Sequence, residues 1–155
     1  MPQLFLDLDG VLADFDTGAH DLLKMPPQDF QDRYGQGTFW KRLAGAPDFY
    51  GSLPLLPDAR HLVDSVHHLD PIILTGLPIG KWAEPQKRAW VERHFPGLQV
   101  ITTLARHKSK YCSPGDVLVD DRPKYADAWE EAGGVFVLHL SAEESLEALR
   151  REGLL

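Results

Sequence analysis

Cysteine is nearly missing from this chain of 155 residues: Cys112 stands alone, so no intramolecular disulfide can form, as suits a reducing compartment. Basic residues are also scarce, with 16 Lys and Arg against 23 Asp and Glu and a formal net charge of -7. That balance excludes a general binder of nucleic-acid polymers, which carries a basic face, and any anionic ligand must be met by locally gathered cations. No apolar run approaches the roughly 20 residues of a membrane span. A basic region followed by an apolar stretch is missing at the N-terminus too, because acids appear by Asp7. A cytoplasmic protein without a membrane partner is expected. Internal repeats and low-complexity tracts are absent, and the length with 43% apolar residues is enough for one domain with a real core.

What is present is an alternation. Short runs of aliphatic and β-branched residues occur at 4–9 (LFLDLD), 71–75 (PIILT), 98–102 (LQVIT), 116–121 (DVLVDD) and 135–140 (VFVLHL). They lack a clean period of two, as strands buried on both faces do. Helical spacing fills the gaps at 57–69, at 81–95 with an irregular opening near Pro85, at 123–133, and at 141–153. Ser141 and Glu144 give the last of these a capping box, and Gly153 a stop. Strands alternating with helices predict an α/β fold with a parallel sheet and helices on both faces. Residues 14–56 break the pattern. They hold no strand but carry Phe15, Phe30, Tyr34, Phe39, Trp40, Phe49 and Tyr50, interrupted by Pro26-Pro27 and by Gly35 and Gly37. A small, mainly helical insertion after the first strand is expected within a single domain.

The chemistry concentrates where the first strand ends on two carboxylates, Asp7 and Asp9, beside Gly10. Like charges this close repel, and desolvating either is costly. Ligands of open parallel sheets bind outside the carboxyl ends of the strands. Asp7 and Asp9, Thr75 and Gly76, and Asp120 and Asp121 all fall on that edge. Carboxylates converging there require a cation, and a few hard oxygen donors suit Mg²⁺. Asp7 and Asp9 would share one side of a strand, and a turn at Gly10 lets the second swing away, so that one can attack while the other manages protons. A calcium loop does not fit, because Val11 stands where an acid is needed and Leu12 where Gly is needed.

DLDGV at 7–11, LTG at 74–76, a lysine ahead of the last acids, and VLVDD at 117–121 resemble the motifs of the haloacid dehalogenase-like (HAD) hydrolase superfamily. Within it, DLDGVLADF, FYGSLPLLPDA at 49–59, KRAWVERHF at 87–95 and GDVLVDDR at 115–122 are similar to the 5'(3')-deoxyribonucleotidases. The resemblance implies a HAD-like Rossmannoid sheet with a small cap and a phosphatase activity on a small phosphorylated metabolite or nucleotide. It implies Asp7 as nucleophile and Asp9 as general acid and base. Mg²⁺ would be held by the Asp7 carboxylate, the Asp9 carbonyl and Asp120, with Asp121 beside them. Thr75 and the Gly76 N–H would hold phosphate oxygens, and a lysine would neutralise the phosphoryl charge. Counting back without a gap gives Lys110, with Lys108 close by.

The insertion is shorter than the family's cap, which leaves a sugar-phosphate phosphatase or a non-catalytic phosphate-binding module as alternatives, and a phosphomutase open. An acid at position 9 argues against dehalogenases and against transport ATPases. Phe15, Phe49 and Tyr50 lie near the insertion's two ends, where rings can stack on a base, whereas Phe39 and Trp40 are expected to hold the insertion together. Lys81 and Lys87 read as surface helix residues, and the histidines and Cys112 as structural.

Overall fold

The computed structural model describes residues 1–155. Strands β1 (Leu4–Leu6), β2 (Ile72–Gly76), β3 (Gln99–Thr103), β4 (Val117–Asp120) and β5 (Val135–Leu138) form one sheet in the order β3-β2-β1-β4-β5. Every neighbouring pair is parallel. The chain builds outward from β1 through β2 to β3, then crosses to β4 on the other side. The switch point of the sheet therefore lies between β1 and β4, at the ends carrying Asp7 and Asp120.

The first strand is shorter than its apolar run. After Asp7 the carbonyl of Leu8 accepts from the N–H groups of Val11, Leu12 and Ala13 at 3.3, 2.9 and 3.0 Å, so the chain curls into a turn. Gly10 takes φ of 81° there, a left-handed conformation that β-carbons resist. Asp9 is thus carried off the strand line and away from Asp7.

Successive strand residues face opposite sides. Leu4, Leu6, Ile73, Val117 and Val119 join the larger core beneath α4 (Ala59–Val66), α5 (Ala83–His94) and α7 (Ala142–Arg151). Phe5, Leu74 and Leu118 face the other way and are closed by Trp129 of α6 (Ala126–Glu131). The Trp129 ring meets Phe5 edge-on at 5.5 Å, and its N–H donates to the Asp116 carbonyl at 3.2 Å. With so few residues on this face, Trp129→Ala is expected to lower the unfolding free energy by about 3–5 kcal/mol in chemical denaturation. A loss below about 1 kcal/mol would show that the face closes without the indole.

Helix ends follow the sequence signals. Ser141 accepts from the Glu144 N–H at 3.2 Å at the start of α7, and Pro123 opens a 3-10 turn before α6. Between β1 and α4 lie three further helices, α1 (Phe15–Leu23), α2 (Pro27–Tyr34) and α3 (Gln36–Gly45). Asp14 caps α1 by accepting from Thr17 N–H at 3.1 Å, Pro27 starts α2, and Gly35 at φ 89° separates α2 from α3. Both ends of this segment are stitched to each other. Asp14 N–H donates to Pro54 at 2.8 Å and Leu56 N–H to Leu12 at 2.9 Å. The returning chain is fixed on α5 as well, through Trp90 to the Leu53 carbonyl at 2.8 Å and Arg93 to the Gly51 carbonyl at 2.7 Å. No helix is long and apolar enough to cross a membrane.

Candidate active site

The register of β1 on β4 pairs Leu6 with Val119, and Asp7 N–H extends the ladder to the Val119 carbonyl at 2.9 Å. Asp7 and Asp120 therefore emerge side by side. Between them stands Lys108, whose ammonium is 2.9 Å from Asp7 Oδ1 and 2.9 Å from Asp120 Oδ2. Asp120 Oδ1 accepts from the Arg122 N–H at 3.0 Å, which fixes the carboxylate plane. Oxygens of Asp7, Asp120 and Asp121 lie within 4.8 Å of one another. Asp121 fits only because residue 10 has no side chain: a β-carbon there would collide with its carboxylate.

A second cation serves the second carboxylate. Lys87 reaches from α5 to Asp9 Oδ2 at 2.8 Å, and also to Thr75 Oγ1 at 2.9 Å and the Gly76 carbonyl at 2.8 Å. Asp9 Oδ1 is buried with no partner in the chain. The two acids are pushed in opposite directions. Burial raises Asp7, but the charge and hydrogen bond of Lys108, helped by Lys87, outweigh it and hold Asp7 below the usual carboxylate range. Burial dominates at Asp9 and raises it against the pull of Lys87, with the Asp7 charge adding to the rise. Burial and the neighbouring charges of Asp7 and Asp120 push Asp121 up to about 8. Desolvation works against Lys108, yet Asp7 and Asp120 raise it above the ordinary lysine value, so it stays charged.

These groups open into a cavity of about 390 Å³, walled by Phe15, Trp40, Tyr50, Leu77, Pro78 and Tyr125 among others, with Arg122 at its side. A more open hollow of about 650 Å³ lies next to it between α1 and α2, sharing Phe15, Asp16 and Arg122.

Several sequence expectations are corrected here. Lys110 is exposed, whereas Lys108 is 5% exposed and touches both acids. A 3-10 turn over Ala105–Tyr111 places every third residue on one edge, which brings Ala105 and Lys108 to the cavity and turns Lys110 outward. Lys87 is not a surface residue at all. Thr75 is fully buried behind the cavity wall, its hydroxyl against Lys87, while Gly76 reaches the lining. Phe49 is core, packed edge-on to Phe15 at 5.4 Å, and does not line the cavity. Tyr50 lines the cavity as expected, with its ring packed among Phe15, Phe49 and Trp82. Trp40, expected to be internal, contributes to the wall, as does Arg122, which sequence reasoning passed over. Phe15 lines the cavity as expected.

A switch-point sheet with a helical insertion after its first strand and acids at the ends of β1 and β4 is the fold of the haloacid dehalogenase-like hydrolases. Solved structures share the fold. An L-2-haloacid dehalogenase from Xanthobacter autotrophicus matches with TM-score 0.57 over 100% of this chain and 85% of that one, at 17% identity. A HAD family hydrolase from Deinococcus radiodurans R1, solved with bound phosphate and sodium, matches with TM-score 0.56 over 100% and 97%, at 14% identity. More particularly, the family model described as "5' nucleotidase, deoxy (Pyrimidine), cytosolic type C protein" matches residues 28–143, and the chain belongs to that family. The mitochondrial 5'(3')-deoxyribonucleotidase of Mus musculus is 29% identical over 151 residues, covering 81% of this chain and 67% of that protein. Its Homo sapiens counterpart is 29% identical over 148 residues, covering 81% and 64%. A putative 5'(3')-deoxyribonucleotidase of Bordetella bronchiseptica is 28% identical over 144 residues, covering 77% and 74%. The chain thus spans about two thirds of the length of the mouse and human relatives.

Proposed function

We propose that this protein is a Mg²⁺-dependent phosphatase that hydrolyses nucleoside monophosphates through an aspartyl-phosphate on Asp7. The observation that carries the reading is the separate treatment of two neighbouring carboxylates: Asp7 is paired with Lys108 and held ionised, while Asp9 is paired with Lys87 and pushed towards its protonated form. A nucleophile and a proton donor need those opposite states at the same pH.

The donor set fits a hard divalent ion. Asp7, Asp120 and Asp121 supply carboxylate oxygens within 4.8 Å of one another, and glycine at position 10 keeps the space for them. Asp7, the Asp9 carbonyl and Asp120 would hold Mg²⁺, with Asp121 beside them, and the ion supplies positive charge to the phosphoryl oxygens. In the proposed reaction an Asp7 oxygen attacks phosphorus and the bond to the ester oxygen breaks. The leaving oxygen keeps the electron pair and takes a proton from Asp9. Water then attacks the same phosphorus, gives its proton to Asp9, and releases inorganic phosphate with Asp7 regenerated. Lys108 faces the charge that gathers on the phosphoryl group, and the N–H of Gly76, a residue of the cavity lining, would hold a phosphate oxygen.

The insertion acts as a small cap, with the ends of its return segment stitched beside Asp14. Phe15 and Trp40 line the space above the acids and suit a flat base, while Arg122 meets an anion at the edge. A single cysteine agrees with a cytoplasmic location. The test is turnover of purified protein on a panel of phosphomonoesters with and without Mg²⁺. Nucleoside monophosphates are expected to exceed sugar phosphates in kcat/KM. Equal or better turnover of sugar phosphates would move the assignment to a metabolite phosphatase, and no turnover of any ester would favour a phosphate-binding module.

Metal dependence supplies a further prediction. Asp120→Ala removes one oxygen donor but leaves Asp7, so the Mg²⁺ concentration for half-maximal rate is expected to rise by at least about tenfold. An unchanged requirement in a metal titration would remove Asp120 from the site.

A further inference from the structure

Lys87 lies in the middle of α5, yet it is 1% exposed. Its ammonium has three donors, and Asp9 Oδ2, Thr75 Oγ1 and the Gly76 carbonyl take all of them. The face of Tyr50 covers the same ammonium, its ring centroid 4.5 Å from Nζ. A buried ammonium is tolerated when its donors are all paired in this way, and an aromatic face adds attraction of its own.

Tyr50 comes from a different part of the molecule. It sits on the segment returning from α3, and it is 3% exposed. Its N–H donates to the Gln86 side chain at 2.9 Å, next in sequence to Lys87, and its ring stacks on Trp82 at 5.3 Å. The Tyr50 backbone is therefore tied to α5 by one hydrogen bond, and its ring is held by a stack on Trp82 at the helix's N-cap. The consequence falls on Asp9. One of its oxygens is gripped by Lys87 and the other is buried with no partner in the chain, so the direction of the second is set by the position of the ammonium.

We propose that Tyr50 and Lys87 form a positioning couple for Asp9. With the Tyr50 ring closed over it, the ammonium stays on Asp9 Oδ2 and the carboxylate is held in one orientation at the cavity wall, from which it meets the ester oxygen. Seating of the insertion's return segment is thereby tied to proton transfer. Neither Tyr50 nor Lys87 gives or takes the proton, which moves between Asp9, the leaving oxygen and water as described. The inference rests on the reading of Asp9 as general acid.

The test is steady-state kinetics of the full chain with Mg²⁺ on two esters. One is an alkyl phosphate, whose leaving oxygen needs a proton, and the other is an aryl phosphate, whose leaving group departs without one. Tyr50→Leu removes the aromatic face while keeping an apolar side chain of similar reach. It is expected to lower kcat about tenfold on the alkyl ester and less than about threefold on the aryl ester, with KM within about twofold for both. Tyr50→Phe restores the ring and is expected to recover the alkyl kcat to within about threefold of wild type. Lys87→Met should show the same split more strongly, and adding Tyr50→Leu to it should cost little more, because both act through one contact.

Equal slowing of both esters by Tyr50→Leu, a change in KM alone, or losses that multiply in the double variant would overturn the couple. Should Lys87→Met fail to fold in a thermal melt, the Leu and Phe variants at position 50 decide the matter alone. Asp9→Asn separates this inference from the one beneath it. Full alkyl activity in that variant would overturn the acid role itself, whereas an inactive Asp9→Asn beside an unaffected Tyr50→Leu would overturn only the couple.

Discussion

Asp7→Asn is expected to reduce turnover of any phosphomonoester by more than about a thousandfold while the protein remains folded. The two side chains have the same shape, so the substituted residue would keep the backbone bond to Val119 and still present an oxygen to Lys108. What disappears is the charge that the proposed mechanism brings to phosphorus. Asp7 is the carboxylate that Lys108 and Lys87 hold below its usual range despite burial, and no other acid in the cluster is pushed that way: Asp9, Asp120 and Asp121 all rise. No neighbour is therefore poised to substitute for it. Retention of a tenth of wild-type activity in a clean preparation would contradict the assignment.

The second large effect belongs to Lys108. Lys108→Met keeps the length and apolar bulk of the side chain and removes the ammonium between Asp7 and Asp120. A fixed cation at the developing charge contributes on the order of 10²–10³ in rate, and that loss in kcat is expected. Lys110→Met, two residues on and exposed, is expected to stay within about twofold of wild type. The pair is measured side by side with one substrate at saturating Mg²⁺. Reversed results would return the site to the lysine that ungapped counting selects.

That lysine also shows where the chain's own wording stops being sufficient. The strands, their parallel pairing and the acids at the ends of β1 and β4 are legible because uninterrupted apolar runs end on carboxylates, and burial on two faces leaves such runs few alternatives. Lys108 against Lys110 is not legible in the same way. The choice depends on whether 105–111 continues extended or tightens into a 3-10 turn, and the sequence RHKSK carries no strong signal for either.

Lys87 was legible in principle. Ala83, Lys87, Trp90 and Val91 fall at i, i+4, i+7 and i+8, the spacing of a buried helical stripe, and all four are buried. A charged residue in that stripe signals a buried partner, but its charge alone suggests solvent. The aromatics of residues 14–56 were legible as a cluster only. Which rings reach the cavity depends on how three short helices cross, and so Phe49 turned into the core while Trp40 turned out to the wall.

The central claim is that phosphorus is attacked twice, first by Asp7 and then by water. Each in-line displacement inverts phosphorus, so the stereochemical course of the whole reaction counts the displacements. The measurement is hydrolysis of an isotopically chiral thiophosphoryl ester in isotopically labelled water, followed by configurational analysis of the released thiophosphate. Overall retention is the expected result. Overall inversion would mean that water attacks the substrate directly and would contradict the covalent role of Asp7.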